Sequence, residues 1–197
     1  MGGQPRHKRY SCIVDEIDKC HPSTILEVGT HRANTAIAMI KAAMQHKDDV
    51  YYYGFDLFDF LTEEMAVEEH HGKSFPNLVS AKFKLADYPH TLIMGNTRKT
   101  LSKFKPDRPI DFVFIDGGHS VETIQSDWDN IKQLMHKDTV VIFDDYYENT
   151  DDVGCKSIID SLGDEFVVEK ISEPKKIESK KRDLGKQVLS MIKVSLK

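Results

Sequence analysis

The chain has few cysteines and no long apolar run, and each absence argues against a class of protein. Its three cysteines, Cys12, Cys20 and Cys155, lie far apart and form no C-x-x-C pair. Neither a disulfide framework nor a cysteine zinc site is therefore expected, and a cytoplasmic protein in a reducing compartment fits best. No apolar stretch reaches the roughly 18 residues that cross a bilayer, and the polar start has no signal-peptide region, so no membrane partner is expected.

An excess of basic residues is also missing. Lysine and arginine number 27 against 32 aspartates and glutamates, which gives a formal net charge of −5. A chain of this charge gains nothing overall from approaching nucleic acid, so no nucleic-acid partner is expected and small or neutral ligands are favoured. The basic run over residues 173–182 lies between two predicted strands and is most simply an exposed loop.

Apolar segments and helical patterns alternate along the rest of the sequence. Short apolar runs cover residues 24–28, 50–55, 91–94, 110–115 and 139–143, and helix-like periodicity follows several of them. Near-continuous apolar strands between helices are typical of a parallel sheet that is covered on both faces. We therefore predict a doubly wound, mostly parallel, Rossmann-like α/β fold of about seven strands.

The length of 197 residues predicts a single domain over residues 1–197. Residues 1–21 contain an N-terminal amphipathic helix, and residues 166–197 are predicted to form an antiparallel hairpin at the edge of the sheet. Residues 60–90 are too many for a plain connection, which favours a lid or an insertion that covers the substrate. The sequence is compatible with a homo-oligomer.

In such a sheet, ligands bind beyond the carboxyl ends of the strands, so the residues at those ends are functional candidates. Gly29, in EVGTHRANT (27–35), lets the backbone approach a ligand, and the N–H groups of the helix that follows attract an anion or a carboxylate. The loop lacks the G-x-G-x-x-G pattern of a pyrophosphate site. Asp56 ends the second core strand, where a carboxylate can accept hydrogen bonds from two ribose hydroxyls. The structural alternative is a tight turn capped by Thr30 or Asn34.

Several motifs together resemble those of class I S-adenosylmethionine-dependent methyltransferases. They are EVGTHRANT (27–35), GFDLFD (54–59), MGNTRKTL (94–101), FIDGGHS (114–120) and IFDDYY (142–147). The last two are similar to the paired motifs of the metal-dependent O-methyltransferases. The branches that the chain most resembles are the sugar and macrolide O-methyltransferases of the macrocin type, with catechol and caffeoyl-coenzyme A methyltransferases as more distant relatives.

This resemblance implies a transferase that uses S-adenosylmethionine as its cofactor, and it implies a role for single residues. The methionine end of the cofactor is assigned to Glu27, Gly29 and Thr35, its ribose to Asp56, and the region of its adenine to Asn96 and Thr97. Thr30 and Asp116 complete the cofactor-binding candidates. The resemblance also implies that Asp116, Asp144 and Asp145 bind a divalent cation and that His119 and Asp116 are catalytic.

The acid–base chemistry agrees with a metal. A simple hydroxyl has a pKa near that of water, about 15.7, and an unperturbed histidine is near 6.5, so His119 alone faces a gap of roughly nine units, or about 12 kcal/mol. A divalent cation lowers the pKa of a hydroxyl that it binds by several units, which brings deprotonation within reach of a histidine. Three carboxylates without a cysteine suit magnesium or manganese better than zinc.

The sequence thus predicts metal-assisted O-methylation of a small hydroxylated molecule, such as a sugar or a natural product. One alternative is a metal-independent methyltransferase in which Asp116 and His119 form an acid/base pair for a phenol-like acceptor. Another is a non-catalytic nucleoside-binding protein of the same fold, because Ala33 replaces the usual second glycine and Asn96 replaces a common aspartate. The sequence does not name the acceptor.

Overall fold

The computed structural model describes residues 10–69, 75–179 and 185–197, in which eight strands form one mixed sheet. The strands are β1 (Thr24–Val28), β2 (Tyr51–Asp56), β3 (His90–Met94), β4 (Phe112–Ile115), β5 (Val140–Tyr147), β6 (Phe166–Lys170), β7 (Lys175–Ser179) and β8 (Gly185–Leu196). The helices are α1 (Ser11–Cys20), α2 (Asn34–Ala43), α3 (Glu63–Glu68), α4 (Leu78–Leu85), α5 (Thr97–Thr100), α6 (Val121–Ile131) and α7 (Lys156–Asp160). Short 3₁₀ helices cover Phe58–Phe60, Leu101–Lys103 and Lys132–Leu134. None of the helices in the described ranges is long and apolar enough to cross a membrane.

The strand order is β3-β2-β1-β4-β5-β8-β6, and β7 pairs with the first part of β8. Strands β1 to β5 are parallel, whereas β8 runs antiparallel to its three partners. The chain moves outward from β1 to β3 and then returns to the other side of β1 to form β4 and β5. The strand order therefore reverses between β1 and β4, which is where such folds bind ligands. The predicted doubly wound α/β fold is confirmed.

The C-terminal part of the sheet is larger than the sequence predicts. The sequence predicts one hairpin in a sheet of about seven strands. In the structure, β8 is long enough to pair with both β6 and β7, which brings the number of strands in the described residues to eight. β7 lies at Lys175–Ser179, inside the basic run 173–182 that is predicted as a loop. The sequence pattern misses it because an edge strand needs little apolar surface and commonly carries lysine. Residues 180–182 of that run lie outside the described residues.

Helices cover both faces of the sheet. Buried side chains of α1, α2 and α4, such as Ile17, Met39 and Leu85, pack on one face. On the other face, α6 and α7 contribute Ile124, Trp128, Ile131, Ile158 and Ile159. Each large apolar side chain that is fully buried contributes about 1.5–3 kcal/mol relative to an exposed one. The apolar stripe of α6 and its cap at Ser120, whose hydroxyl accepts from the Thr123 N–H, agree with the sequence pattern.

Strand β5 does not end where its apolar run ends. Its parallel pairing with β4 stops at Phe143, but the strand continues to Tyr147 as a partner of β8. The register with β8 shifts between Phe143 and Tyr146, and Asp145 adopts a left-handed φ of 59°. Asp144 and Asp145 therefore lie in a β-bulge, a feature that re-aims side chains next to functional sites. The predicted strand end after residue 143 is wrong for this reason.

The stretch 60–90 has two different parts. The later part is α4, which connects β2 to β3, and its Ala81 and Leu85 pack in the same core as α2. The earlier part contains α3 and lies at the sheet edge where the parallel strands end, and Leu61, Met65 and Glu69 of this part line the cavity described below, together with Pro76, which precedes α4. Residues 70–74, between the two parts, lie outside the described residues, as do residues 1–9 of the predicted N-terminal segment.

Candidate active site

The loop after β1 brings the carboxyl ends of three strands together. Gly29 has a φ of 96°, and a Cβ at this position would overlap the carbonyl oxygen of Asp116. The Gly29 N–H donates to the carbonyl oxygen of Phe55 at 2.8 Å, and the Asp116 N–H donates to that of Val28 at 2.8 Å. Only glycine fits this position, because both its dihedral angle and its contact with β4 exclude a side chain. The close approach places Asp116 beside the loop.

A cavity of about 330 Å³ opens at this junction, a volume within the range of small-molecule sites. Six of the predicted site residues line it: Gly29, Asp56, Asn96, Thr97, Asp116 and His119. Apolar and polar side chains that the sequence did not indicate complete the wall, among them Leu57, Leu61, Met65, Glu69, Arg98 and Thr123. Several of these come from α3 and α6, so their positions depend on tertiary packing and carry no local signal.

Three of the predicted cofactor-binding residues do not line the cavity. Glu27 and Thr30 are buried beneath the loop, where the Tyr52 hydroxyl donates to Glu27 and lies 3.0 Å from the Thr30 hydroxyl. Burial raises the pKa of Glu27 to about 8, and the nearby charges of Asp116 and Asp56 add to this. Thr35 lies half-buried in the first turn of α2. Tyr52 thus connects Glu27 to Thr30 beneath the loop.

The start of α2 differs from the structural alternative, a tight turn in which Thr30 or Asn34 caps the helix. The residue before α2 is Ala33, which adopts a left-handed φ of 57° and provides no side-chain cap. A left-handed backbone is the conformation that glycine adopts at least cost, which accounts for the glycine that relatives are expected to carry here. The loop keeps the glycine-like path although this chain has alanine.

Asp56 is held rigidly at the cavity wall. Its Oδ2 accepts from the His31 N–H at 2.7 Å and its Oδ1 accepts from the Phe58 N–H at 2.6 Å. These two hydrogen bonds tie the end of β2 to the loop after β1 and to the turn that leads to α3. The orientation of the Asp56 carboxylate is therefore set by backbone donors on both of its oxygens.

The far side of the cavity is formed by the start of α5. The Asn96 side chain caps this short helix by accepting from the Arg98 N–H at 3.0 Å. Arg98 donates from Nη2 to the Thr123 hydroxyl at 2.8 Å, which ties α5 to α6. Asn96, Thr97 and Arg98 therefore present a polar edge that is fixed by two separate contacts.

A group of three aspartates lies next to the cavity. Asp116 follows β4, Asp144 and Asp145 form the bulge of β5, and one carboxylate oxygen of each lies within 4.8 Å of the others. The Tyr10 hydroxyl lies 3.3 Å from Oδ2 of Asp116 and 3.5 Å from Oδ2 of Asp144. A set of three carboxylates from two neighbouring strands fits a hard divalent cation such as Mg²⁺ or Mn²⁺. These three residues are here called the carboxylate cluster.

His119 connects the cover of the cavity to the carboxylate cluster. Its Nδ1 lies 2.8 Å from the carbonyl oxygen of Glu69, and its Nε2 lies 2.9 Å from Oδ2 of Asp145. A carbonyl oxygen only accepts, so Nδ1 carries a proton, and the second contact requires a proton on either Nε2 or Asp145. The tautomer of neutral His119 is thereby fixed, with Nε2 as the nitrogen that exchanges its proton.

The comparison with protein families gives one match. The family described as Methyltransferase domain matches residues 26–146, which is more than half of the chain. The matched stretch begins in β1 and ends in β5, so it contains the loop at Gly29, the cavity wall and the carboxylate cluster. No curated protein matches the chain.

Solved structures of similar fold cover most of the chain at low identity. An O-methyltransferase from Bacillus cereus in complex with SAH has a TM-score of 0.66 at 13% identity, over 100% of this chain and 83% of that one. The O-methyltransferase TomG from Streptomyces achromogenes, involved in tomaymycin synthesis and solved with SAM, has a TM-score of 0.62 at 14% identity, over 95% and 79%. An rRNA methylase from Streptococcus thermophilus has a TM-score of 0.61 at 11% identity, over 100% and 98%. At these identities the likeness extends to the fold alone.

Proposed function

This chain belongs to the family described as Methyltransferase domain, and from this premise we propose that it transfers the methyl group of S-adenosylmethionine to an oxygen of a small hydroxylated molecule. The predicted methyltransferase class is confirmed by the family. The oxygen acceptor, the metal and the roles of single residues belong to the proposal. The observation that carries it is the position of Asp116, which belongs both to the cavity wall and to the carboxylate cluster.

The cavity supports cofactor binding residue by residue. Gly29 contributes to the cavity wall, and Asp56 presents a carboxylate whose orientation is fixed by two N–H donors. Asn96 and Thr97 form the polar edge on the opposite side, where we assign the adenine. The Streptomyces achromogenes and Bacillus cereus structures are complexes with SAM and SAH, which supports the same use of the fold here. Bound S-adenosylmethionine supplies an activated methyl group.

The carboxylate cluster is the proposed site of a divalent cation, probed as Mn²⁺ or Mg²⁺. Asp116, Asp144 and Asp145 would hold it through oxygen ligands. Such a cation supplies positive charge that lowers the pKa of an acceptor hydroxyl. Without a cation, three ionised carboxylates this close together repel one another, because like charges disfavour the ionised forms. The bulge of β5 is the local feature that turns two of the three side chains toward Asp116.

His119 is the proposed acceptor of the substrate proton. The Glu69 carbonyl oxygen fixes the Nδ1 proton, so proton exchange takes place at Nε2. Nε2 lies 2.9 Å from Oδ2 of Asp145, so this carboxylate holds the imidazole ring on its other side. The positions of donor and acceptor matter at least as much, since in-line placement of two reactants can contribute roughly 7–11 kcal/mol.

A second candidate keeps the cofactor and omits the metal. It is favoured by the 2.9 Å contact between His119 Nε2 and Asp145 Oδ2, the arrangement of a base that a carboxylate orients. In this case the partner of His119 is Asp145 rather than the Asp116 that the sequence suggests. An already acidic acceptor such as a phenol would suffice. A third candidate is a non-catalytic nucleoside-binding protein, and the binding and methyl-transfer measurements described next test it as well.

Cofactor binding is tested by calorimetry with S-adenosylhomocysteine. We expect the wild-type chain to bind it, and Asp56→Asn to bind about 10-fold more weakly or worse, because a hydrogen bond to a charged group contributes about 1.5–3 kcal/mol. Asp129→Asn is the matched control, since Asp129 lies on α6 and contacts Lys132 at 2.5 Å. Absence of binding by the wild-type chain would contradict the proposed cofactor.

The metal is tested separately. We expect the wild-type chain to bind Mn²⁺ and Asp144→Asn to lose at least about 10-fold in affinity, since even residues that only support metal ligands contribute 10- to 100-fold. Transfer of a labelled methyl group to a panel of sugars and phenols should stop on chelation and resume with Mg²⁺. Transfer to phenols that survives chelation would instead select the metal-independent candidate.

A further inference from the structure

Tyr10 is the residue near the carboxylate cluster that neither the motifs nor the sequence pattern indicates. It precedes α1, far from the cluster along the chain, yet its hydroxyl lies 3.3 Å from Oδ2 of Asp116 and 3.5 Å from Oδ2 of Asp144. Both oxygens are acceptors, so the hydroxyl is the donor in this arrangement. One O–H group thus lies between carboxylates that belong to two different strands.

The position of Tyr10 is set by a contact of its ring and by the helix that follows it. Its ring meets the ring of Phe114 edge-on, with centroids 6.1 Å apart and an interplanar angle of 84°. Phe114 belongs to β4, two residues before Asp116, so the ring packs on the strand that carries one of the acceptors. The helix that follows Tyr10 is anchored by the buried side chains of Ile13 and Ile17.

An ion pair adds to this anchor. Glu16 of α1 is almost fully buried and lies 3.2 Å from the Lys193 ammonium group of β8. The Lys19 and Lys193 ammonium groups hold the pKa of Glu16 below its usual value despite the opposing effect of burial. Helix α1 is therefore held to the sheet by apolar contacts and by a charge pair, and Tyr10 immediately precedes this anchored helix.

We propose that Tyr10 is a positioning residue of the carboxylate cluster. Its hydroxyl orients Asp116 and Asp144 and offsets part of their mutual repulsion, so that both present oxygens to a divalent cation. This inference rests on the proposed metal function of the cluster. The ring alone accounts for the packing on Phe114, and a phenylalanine would serve that purpose equally well. The hydroxyl is the part of the side chain that packing does not explain.

The test compares Mn²⁺ binding by the wild-type chain, Tyr10→Phe and Tyr10→Leu, followed by electron paramagnetic resonance of free Mn²⁺. Supporting groups around metal ligands typically contribute 10- to 100-fold in affinity, and we expect both variants to lose about 10-fold or more. The affinity for S-adenosylhomocysteine should change less than about twofold, because Tyr10 is not part of the cavity wall. Tyr53→Phe is the matched control, since the Tyr53 hydroxyl donates to the carboxylate of Asp107 elsewhere in the molecule.

The possible outcomes distinguish the contribution of the Tyr10 hydroxyl to Mn²⁺ affinity from that of its ring and from the presence of the metal site itself. If Tyr10→Phe binds Mn²⁺ like the wild-type chain and only Tyr10→Leu is weaker, the ring matters and the positioning role of the hydroxyl is overturned. Equal affinity in all three chains overturns it as well, while the metal site stands. If the wild-type chain binds no Mn²⁺, the proposed metal function fails, and this inference fails with it.

Discussion

The buried carboxylate of Asp127 lies four residues after Thr123 on α6, behind the wall of the cavity. It is 1% exposed, and neither of its oxygens makes a hydrogen bond of regular geometry among the described residues. Burial raises the pKa of Asp127 to about 7 and the charge of Glu69 acts in the same direction, while the nearby Thr97 side chain and the charge of Arg98 oppose the shift. A buried carboxyl group without a partner keeps its proton, because ionisation in an apolar environment is costly.

This shift makes stability depend on pH. The pKa of Asp127 is near 3.9 in an unfolded chain and about 7 in the folded protein, so its contribution is complete below about pH 4 and is lost as the pH rises to 7. Over this range the unfolded chain has released a proton that the folded chain retains, and the free energy of unfolding falls as the pH rises. We expect Asp127→Asn to reduce this fall by about 2 kcal/mol or more between pH 5 and pH 8.

Urea unfolding of both chains at the two pH values measures the effect, with Asp129→Asn as a control on the same helix. Glu27, whose pKa of about 8 is also raised by burial, acts with the same sign, so part of the dependence should remain in the variant. A wild-type chain that is equally stable at pH 5 and pH 8 would contradict the buried, protonated state of Asp127.

At the scale of elements, Glu69, the residue that follows α3, joins α3 to the start of α6. The carboxylate of Glu69 accepts from the Ser120 N–H at 3.1 Å, from the Ser120 hydroxyl at 3.2 Å and from the Thr123 hydroxyl at 2.6 Å. A Cβ on Gly118 would overlap this carboxylate, so the contact is close-packed. A carboxylate also stabilises the positive end of a helix, which is where Glu69 meets α6.

We expect Glu69→Ala to loosen α3 without unfolding the sheet. Hydrogen bonds to a charged group contribute about 1.5–3 kcal/mol, so the amides of α3 should exchange at least about 10-fold faster in the variant. Hydrogen exchange read by mass spectrometry measures this, and Glu63→Ala, on the exposed side of the same helix, should leave the exchange of α3 nearly unchanged. Equal protection in Glu69→Ala and the wild-type chain would show that other contacts hold α3.

The elements that the sequence predicts are those whose burial leaves a pattern. β1 and β4 are buried along their whole length and α6 carries an apolar stripe, so period and hydrophobicity identify them. The bulge at Asp145 has no such signal, because its left-handed backbone results from the change of partner from β4 to β8. β7 is missed because an edge strand can be polar.

The residues of the candidate site also fall into two groups, those that the sequence predicts and those that it does not. Asp56, Asp116 and the two aspartates of β5 are predictable because they follow apolar runs of the sequence in a fold that binds ligands at strand ends. Tyr10 and Glu69 are not, because each reaches the site from an element that is distant along the chain. Their roles depend on hydrogen bonds across α1 and α3, and no local pattern encodes such contacts.

At the scale of the whole molecule, the reversal of strand order places the proposed cofactor site and the proposed metal site on either side of Asp116. β1 and β4 are neighbours in the sheet, although β2, β3 and their helices separate them along the chain. Asp116 follows β4 at this junction and faces both the cavity and the carboxylate cluster. The fold therefore couples the proposed cofactor site and the proposed metal site through one carboxylate.

This coupling predicts how three single substitutions differ. Asp56→Asn should weaken the binding of S-adenosylhomocysteine alone, Asp144→Asn should weaken the binding of Mn²⁺ alone, and Asp116→Asn should weaken the binding of both by about 10-fold.

A ligand at 100 times its dissociation constant adds about 2.7 kcal/mol to the stability of the folded state. In a chain of this size, 1 kcal/mol corresponds to roughly 2–4 °C, so each ligand should raise the melting temperature of the wild-type chain by about 5–10 °C. Thermal unfolding with each ligand held at its wild-type saturating concentration measures all of these effects, and the rise should shrink for both ligands only in Asp116→Asn. If Asp116→Asn loses the rise for just one ligand, the two sites do not share this residue, and the carboxylate cluster lies outside the reaction that the cavity supports.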